Sequence, residues 1–230
     1  MTNKHNHEDH DPLINVETVL GETGNYLGKH QKLIIYLVVG IALLVGGYFG
    51  YKFLYLEPLE KTASSEMFYA ERYFEMDSMQ MALNGDKEHL GFLDIIDNYG
   101  ATQAANVSHY YAGIAYLQLG KFEDAIENLE KFKSKDPLLN PIAKAAIADA
   151  YLEMGDTEKA IKQYVKAADC ENNEYVTPGI LLRAGLLYEK EKNYKEALKM
   201  YERIQKDFTT SQEAREIDRY IGRVKELSGE

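Results

Sequence analysis

The sequence predicts an all-α protein: a single N-terminal transmembrane helix, then an α-solenoid of antiparallel helix hairpins closed by a C-terminal capping helix. Three observations carry this prediction. Residues 33–51, LIIYLVVGIALLVGGYFGY, contain no charged side chain. Downstream, a skeleton of small, tyrosine and alanine positions occurs three times, with tyrosines spaced 35 and then 37 residues apart, the period of a two-helix repeat. The chain also ends in SQEAREIDRYIGRVKEL, where Ala214, Ile217, Ile221 and Val224 fall on one helical face behind Ser211 as N-cap.

The polar tail, residues 1–32, comes first. Its run HNHEDHD holds metal-capable side chains but reads as a solvated tail, and no metal site is assigned. Asp11-Pro12 can start a helix with Leu13, Val16 and Leu20 on one side, limited by Gly21 and Gly24; solvated disorder is the competing reading. Residues 33–56 form the transmembrane helix and its exit. At about 1.5 Å per residue the uncharged run reaches ~28 Å, close to the hydrocarbon thickness of a bilayer. Lys29 and Lys32 flank one end; Lys52 with Tyr48, Phe49, Tyr51, Phe53 and Tyr55 flanks the other, as an interfacial belt would. A signal peptide fits poorly, because the run starts late and no small-residue cleavage site follows. Lys29 and Lys32 balance Lys52 and Lys61, so charge alone leaves the orientation open. Gly46 and Gly50 make a GxxxG step, a place for close helix packing in the membrane.

Residues 57–230 carry the helical domain. A degenerate unit over 61–100 has Ala70 and Tyr73 in its first helix and Gly91 and Ile95 in its second, after an insertion at Leu83–Asp86. Three clearer units span 106–138, 141–172 and 178–209, and the capping helix 211–228. They align on Tyr116, Tyr151 and Tyr188. A small residue lies three positions before each (Gly113, Ala148, Gly185), and an alanine nine positions after (Ala125, Ala160, Ala197). Two helices that cross closely need small side chains at the crossing. Gly120 and Gly155 fit the left-handed end of a first helix. Pro137, Pro141 and Pro178 punctuate the boundaries.

These positions resemble the tetratricopeptide repeat, over residues 106–209. The sequence departs from it at the usual tryptophan position, which holds His109, Lys144 and Leu181, and at the turn glycine of the third unit, which is Lys192. The resemblance implies a right-handed solenoid whose first helices line a partner groove. Carried over position by position, the groove falls on Val107, Tyr110, Ile114 and Leu117 in the first unit. In the second it falls on Ile142, Ala145, Asp149 and Leu152, and in the third on Leu182, Leu186 and Glu189. None of these is Lys, Asn or Arg, which disfavours a clamp for a terminal carboxylate. An apolar groove edged by acids suits an amphipathic helix or an exposed apolar stretch. The competing reading fills the groove with the chain's own segment around Met79 and Met81.

No catalytic constellation accompanies these features. The chain has no Gly-rich phosphate loop, HExxH or GxSxG motif. Its single cysteine, Cys170, excludes an internal disulfide and a cysteine-based zinc site. A net charge of −11 over 230 residues disfavours nucleic acid as partner. The expectation is a non-enzyme without cofactor or small-molecule substrate, touching lipid through one span and otherwise binding proteins. The order of parts, with Asn84-Gly85-Asp86, Ala167-Ala168-Asp169 and the AREIDRYIGRV ending, resembles the YfgM-like ancillary subunits of the bacterial SecYEG translocon. That resemblance implies an inner-membrane protein with a periplasmic repeat domain, partnering SecYEG and a membrane-tethered chaperone during protein export. An assembly or structural scaffold for another envelope complex is the alternative.

Overall fold

The computed structural model describes residues 16–229, with side chains from Lys32 onward except Ile34. The histidine run and the Asp11-Pro12 helix start lie outside the described residues. Among the described residues every regular element is helical. The chain divides into two compact units at Tyr55/Leu56.

In the first unit, helix α1 runs Val16–Gly50 and is followed by a π-helical stretch, Tyr51–Leu56. The helix therefore begins well before the apolar run and passes through Gly21 and Gly24. A helical glycine costs about 1 kcal/mol, which the neighbouring turns of a long helix outweigh. Every described large apolar side chain from Leu33 to Val45 is exposed. One helix near the N-terminus is long and apolar enough to cross a membrane. A Cβ built on Gly40, Gly46, Gly47 or Gly50 would meet nothing within 4 Å, so these four positions are open.

The second unit is a stack of helices: α2 (Glu57–Glu75), α3 (Met79–Asn84), α4 (Phe92–Asn98), α5 (Gln103–Gln118), α6 (Phe122–Lys131), α7 (Leu139–Glu153), α8 (Thr157–Cys170), α9 (Thr177–Lys190), α10 (Tyr194–Asp207) and α11 (Ile217–Ser228). Consecutive helices from α5 to α11 pack on one another, α2 to α4 gather against α5, and α11 covers α10. A 3-10 turn at Glu213–Arg215 precedes α11, so the capping helix proper starts later than the sequence suggested.

The repeat is visible in the backbone, and it occurs four times. After Tyr73, Tyr116, Tyr151 and Tyr188 the first helix ends in the same way. The residue four positions on is left-handed: Asp77 (φ 59°), Gly120 (72°), Gly155 (80°) and Lys192 (59°). The next amide, of Ser78, Lys121, Asp156 or Asn193, donates to the tyrosine carbonyl at 2.8–2.9 Å. This double turn satisfies carbonyls the helix would otherwise leave unpaired. Nine positions after the tyrosines come Ala82, Ala125, Ala160 and Ala197, all fully buried.

Ala82 corrects the sequence reading of the first unit. Its second helix was assigned to Gly91 and Ile95, but it begins at α3 with the alanine in register. It is then interrupted, and resumes as α4. Gly91 lies just ahead of α4 and Ile95 is buried on it. The interruption closes on itself: the Asp86 amide donates to the His89 carbonyl at 3.0 Å. Asp86 Oδ1 accepts the amides of Glu88 (2.7 Å) and His89 (2.8 Å), and Oδ2 accepts the Tyr73 hydroxyl at 2.5 Å. These donors hold its carboxyl well below the usual carboxylate range. A Cβ on Gly91 would sit 2.3 Å from the Gly85 nitrogen, so only glycine permits the neck of this loop.

At the helix crossings the small residue faces the bulky one of the second helix. A Cβ on Gly113 would lie 2.5 Å from Leu129 Cγ, and 3.2 Å from the Ala125 carbonyl oxygen. A Cβ on Gly185 would lie 2.3 Å from the Tyr201 ring.

The turn geometry makes a stability prediction. A side chain in the left-handed region costs roughly 1–2 kcal/mol, and Lys192, being exposed, recovers little of it. Lys192→Gly is expected to stabilise the chain by about 1 kcal/mol, raising Tm by ~2–4 °C. Thermal unfolding of the detergent-solubilised chain by circular dichroism checks this; an unchanged or lower Tm contradicts it.

Candidate partner groove

The first helices of the units place the predicted groove residues, and the structure sorts them. Tyr110, Ile114 and Leu117 on α5 are half-buried and pack with Phe132 against Leu129, Ala143 and Ile147. Val107 and Ile142 are half-buried as well. Ala145 is buried in the central core, where Leu152 and Leu182 pack partly against it. Leu186 is exposed.

Four of the eleven meet. One cleft of about 460 Å³ is lined by Leu117, Gln118, Gly120, Phe122, Asp149, Leu152 and Glu153. A second, of about 400 Å³, is lined by Asp149, Leu152, Tyr164, Arg183, Leu186, Leu187 and Lys190. They share Asp149 and Leu152, so they form one groove across α5, α7 and α9, with leucines from three consecutive units. The other seven predicted residues do not line it. The Met79–Met81 segment does not line it either; it packs against α2 and α5, with Met79 buried in the core of the first unit. A larger cleft, about 610 Å³, lies beside α8 and the α9–α10 turn, with Ile161, Val165 and Tyr188 flanked by Lys162, Lys166 and Glu191. It belongs to a different surface from the leucine groove.

The acidic edge expected of the groove is used inside the fold. Asp149 accepts the Tyr164 hydroxyl from its own hairpin, and the Arg183 guanidinium of the next unit at 3.2 Å. Glu189 accepts the Tyr201 hydroxyl at 3.1 Å and pairs with Arg223 of the capping helix at 2.8 Å. Burial and the neighbouring carboxylates push both tyrosine hydroxyls well above their ordinary pKa, so they remain donors. A third pair, Arg203–Asp169, lies 2.5 Å apart on the second helices. All three arginines reach back 34 residues, one repeat. Exposed pairs contribute little each, typically about 0–1 kcal/mol. Their geometric effect is to fix the rotation of one unit on the next.

Sequence reasoning missed Arg183 and Lys190, which bring positive charge to the groove. Both lie beside predicted offsets on α9. The 34-residue spacing of the acid–arginine pairs was a usable signal. Among the described residues no group of three His, Cys, Asp or Glu side chains is placed to hold a metal ion. Cys170 is half-buried, its thiol 3.1 Å from the Ala167 carbonyl oxygen.

The tetratricopeptide-repeat family model matches residues 110–175 and 145–213, which are α5 to α10 almost entirely. No curated protein matches the chain. The match covers the three regular units. It leaves out α2 to α4, where the second helix is interrupted. The repeat is a protein-interaction fold without catalytic machinery of its own.

Proposed function

We propose that the chain is a membrane-anchored scaffold that holds an amphipathic helix or an exposed apolar stretch of a partner protein in the Leu117–Leu152–Leu186 groove. The carrying observation is the groove itself: leucines of three units line one surface, Leu117 and Leu152 half-buried and Leu186 exposed, with Asp149 consumed by an internal pair. An apolar floor with fixed polar edges is how helical repeats take up helices and extended segments. Leu186 is 40% exposed beside the half-buried Leu152.

The anchor is the helix whose described large apolar side chains from Leu33 to Val45 are exposed. We further propose the bacterial inner membrane, with the repeat domain in the periplasm, and a site at the SecYEG translocon together with a membrane-tethered chaperone during export. What supports this finer reading is the order of tail, span and repeats and its resemblance to translocon-associated subunits. A scaffold assembling another envelope complex is the second reading, favoured by the ready-made rigidity of the arginine-stapled stack.

Photo-cross-linking from Tyr110 and Leu186 in intact membranes tests both. Adducts with nascent exported chains or translocon subunits are expected. Adducts confined to fixed envelope subunits support the second reading. Absence of any adduct at Leu186 counts against the groove. Labelling of Cys170 by a membrane-impermeant thiol reagent, in intact spheroplasts against lysed ones, reports the topology.

A further inference from the structure

The first unit offers a surface the groove does not include. Residues 57–100 hold ten acidic and three basic side chains, while 101–230 carry a net charge of only −3. On α2, Ser64, Phe68, Glu71 and Glu75 follow one another at i, i+4, i+7 and i+11, a single helical stripe. Phe68 is 55% exposed at its centre. Within its unit α2 packs against α3, α4 and α5, and the stripe runs along the α5 side: Ser64 donates to Glu60, whose carboxylate accepts the Gln103 and Ala104 amides at the start of α5.

The repeat register shows what the stripe lacks. Asp149 lies two positions before Tyr151, and its cation, Arg183, lies five before Tyr188. Two before Tyr73 is Glu71; five before Tyr116 is Tyr111. The acid is thus present in the first unit, but an aromatic ring replaces the arginine. That ring is fixed: Tyr111 stacks on Phe92 at 5.1 Å and meets Phe74 edge-on at 5.2 Å. Among the described residues no lysine or arginine lies within ion-pairing distance of Glu71 or Glu75, Arg72 included. Burial and the charge of Glu75 raise the Glu71 carboxyl above its ordinary value.

We propose that this face of α2 docks a basic, apolar segment of a partner protein, whose lysine or arginine pairs with Glu71 and Glu75 from outside the fold, while an apolar side chain covers Phe68. Charge complementarity selects the occupant: a cation is attracted to Glu71 and Glu75, and the acidic first unit repels an acidic segment. The aromatic ring of Phe68 next to the two carboxylates also suits the alkyl stem of a lysine or the plane of an arginine.

The surface is separate from the leucine groove, so the two readings can fail independently. Cross-linking from Leu186 reports on the groove. Fluorescence anisotropy of the full chain in nonionic detergent, titrated into a labelled helical peptide of leucine and lysine, reports on α2. Binding is expected, with the leucine–glutamate counterpart of the peptide silent. Glu71→Gln/Glu75→Gln is expected to weaken binding at least about tenfold, and Phe68→Ala about fivefold. Glu88→Gln/Asp97→Asn removes the same charge from exposed positions off the stripe, and is expected to change affinity less than about twofold. Equal weakening by the two double variants would reduce the binding to diffuse electrostatics and overturn the proposal. So would a glutamate peptide that binds as well. A Phe68-dependent dimer in light scattering would make the occupant a second copy of this chain, and would overturn it too.

Discussion

Replacing Gly185 with alanine is expected to destabilise the repeat region by roughly 2–3 kcal/mol, although alanine is the better helix former by about 1 kcal/mol. The added Cβ would lie 2.3 Å from Tyr201 Cε1 and 2.9 Å from two further ring carbons. Tyr201 has no room to retreat. It is fully buried, and its hydroxyl is tied to Glu189 at 3.1 Å. The second unit shows the other solution: there Ala148 occupies the same position, and the Tyr164 hydroxyl bonds to Asp149. In the third unit the residue matching Asp149 is Leu186, which offers no side-chain acceptor. A Tyr201 ring displaced toward the Tyr164 arrangement would leave its hydroxyl without that partner, at a cost of about 1–3 kcal/mol. The unit of α5 and α6 pairs Gly113 with Leu129 and needs no hydroxyl partner. The double variant Gly185→Ala/Tyr201→Leu is therefore expected to recover part of the loss, giving a coupling of about 1 kcal/mol or more. Gly222→Ala is the control. Its Cβ meets nothing within 4 Å, and it should stabilise α11 slightly. Urea unfolding of each variant measures these differences; equal stability of Gly185→Ala and the parent would refute the close crossing.

The same comparison shows why part of the fold could be read directly and part could not. Backbone demands repeat, and they leave residue-type signatures. Small residues at 113, 148 and 185 and alanines at 125, 160 and 197 were legible because any larger side chain there meets a neighbouring helix. Glycine at the left-handed turn was legible in two units. In the other two the same conformation is held by Asp77 and Lys192, where surrounding helices impose a geometry the residue does not favour. The first unit was only half legible, because its second helix is broken after Asn84. An eye looking for one continuous second helix passes over Ala82, although it stands nine residues after Tyr73 as in every other unit. Of the expected groove residues only Leu117, Asp149, Leu152 and Leu186 come together, and the electrostatics around them were not legible. Charge at Asp149 and Glu189 looked like a binding edge, since the cations that neutralise it come from one repeat further along the chain.

Phe92→Ala should have the largest effect, about 3–5 kcal/mol, and its consequences should stay local. Phe92 is fully buried, stacks parallel to Tyr111 at 5.1 Å and meets Phe74 at 6.3 Å. It opens α4, which has only seven residues and no capacity to persist as an isolated helix. What keeps α4 in place is this aromatic cluster, with Ile95 beneath it and the Asp86 loop ahead of it. Truncation leaves a cavity among three rings, and the interrupted second helix cannot close it by a shift of one continuous element. In a stack whose units contact only their neighbours, the loss should fall on α2 to α4 and fade toward α9 and α10. Amide hydrogen exchange is expected to accelerate first in α2, α3 and α4, with α9 and α10 close to parent protection. Binding of the leucine–lysine peptide at Phe68 and Glu71 should fall with α2, while cross-linking from Leu186 persists. Uniform acceleration across all helices would instead mean that the stack opens as one cooperative block, and that the first unit is not separable from the groove it precedes.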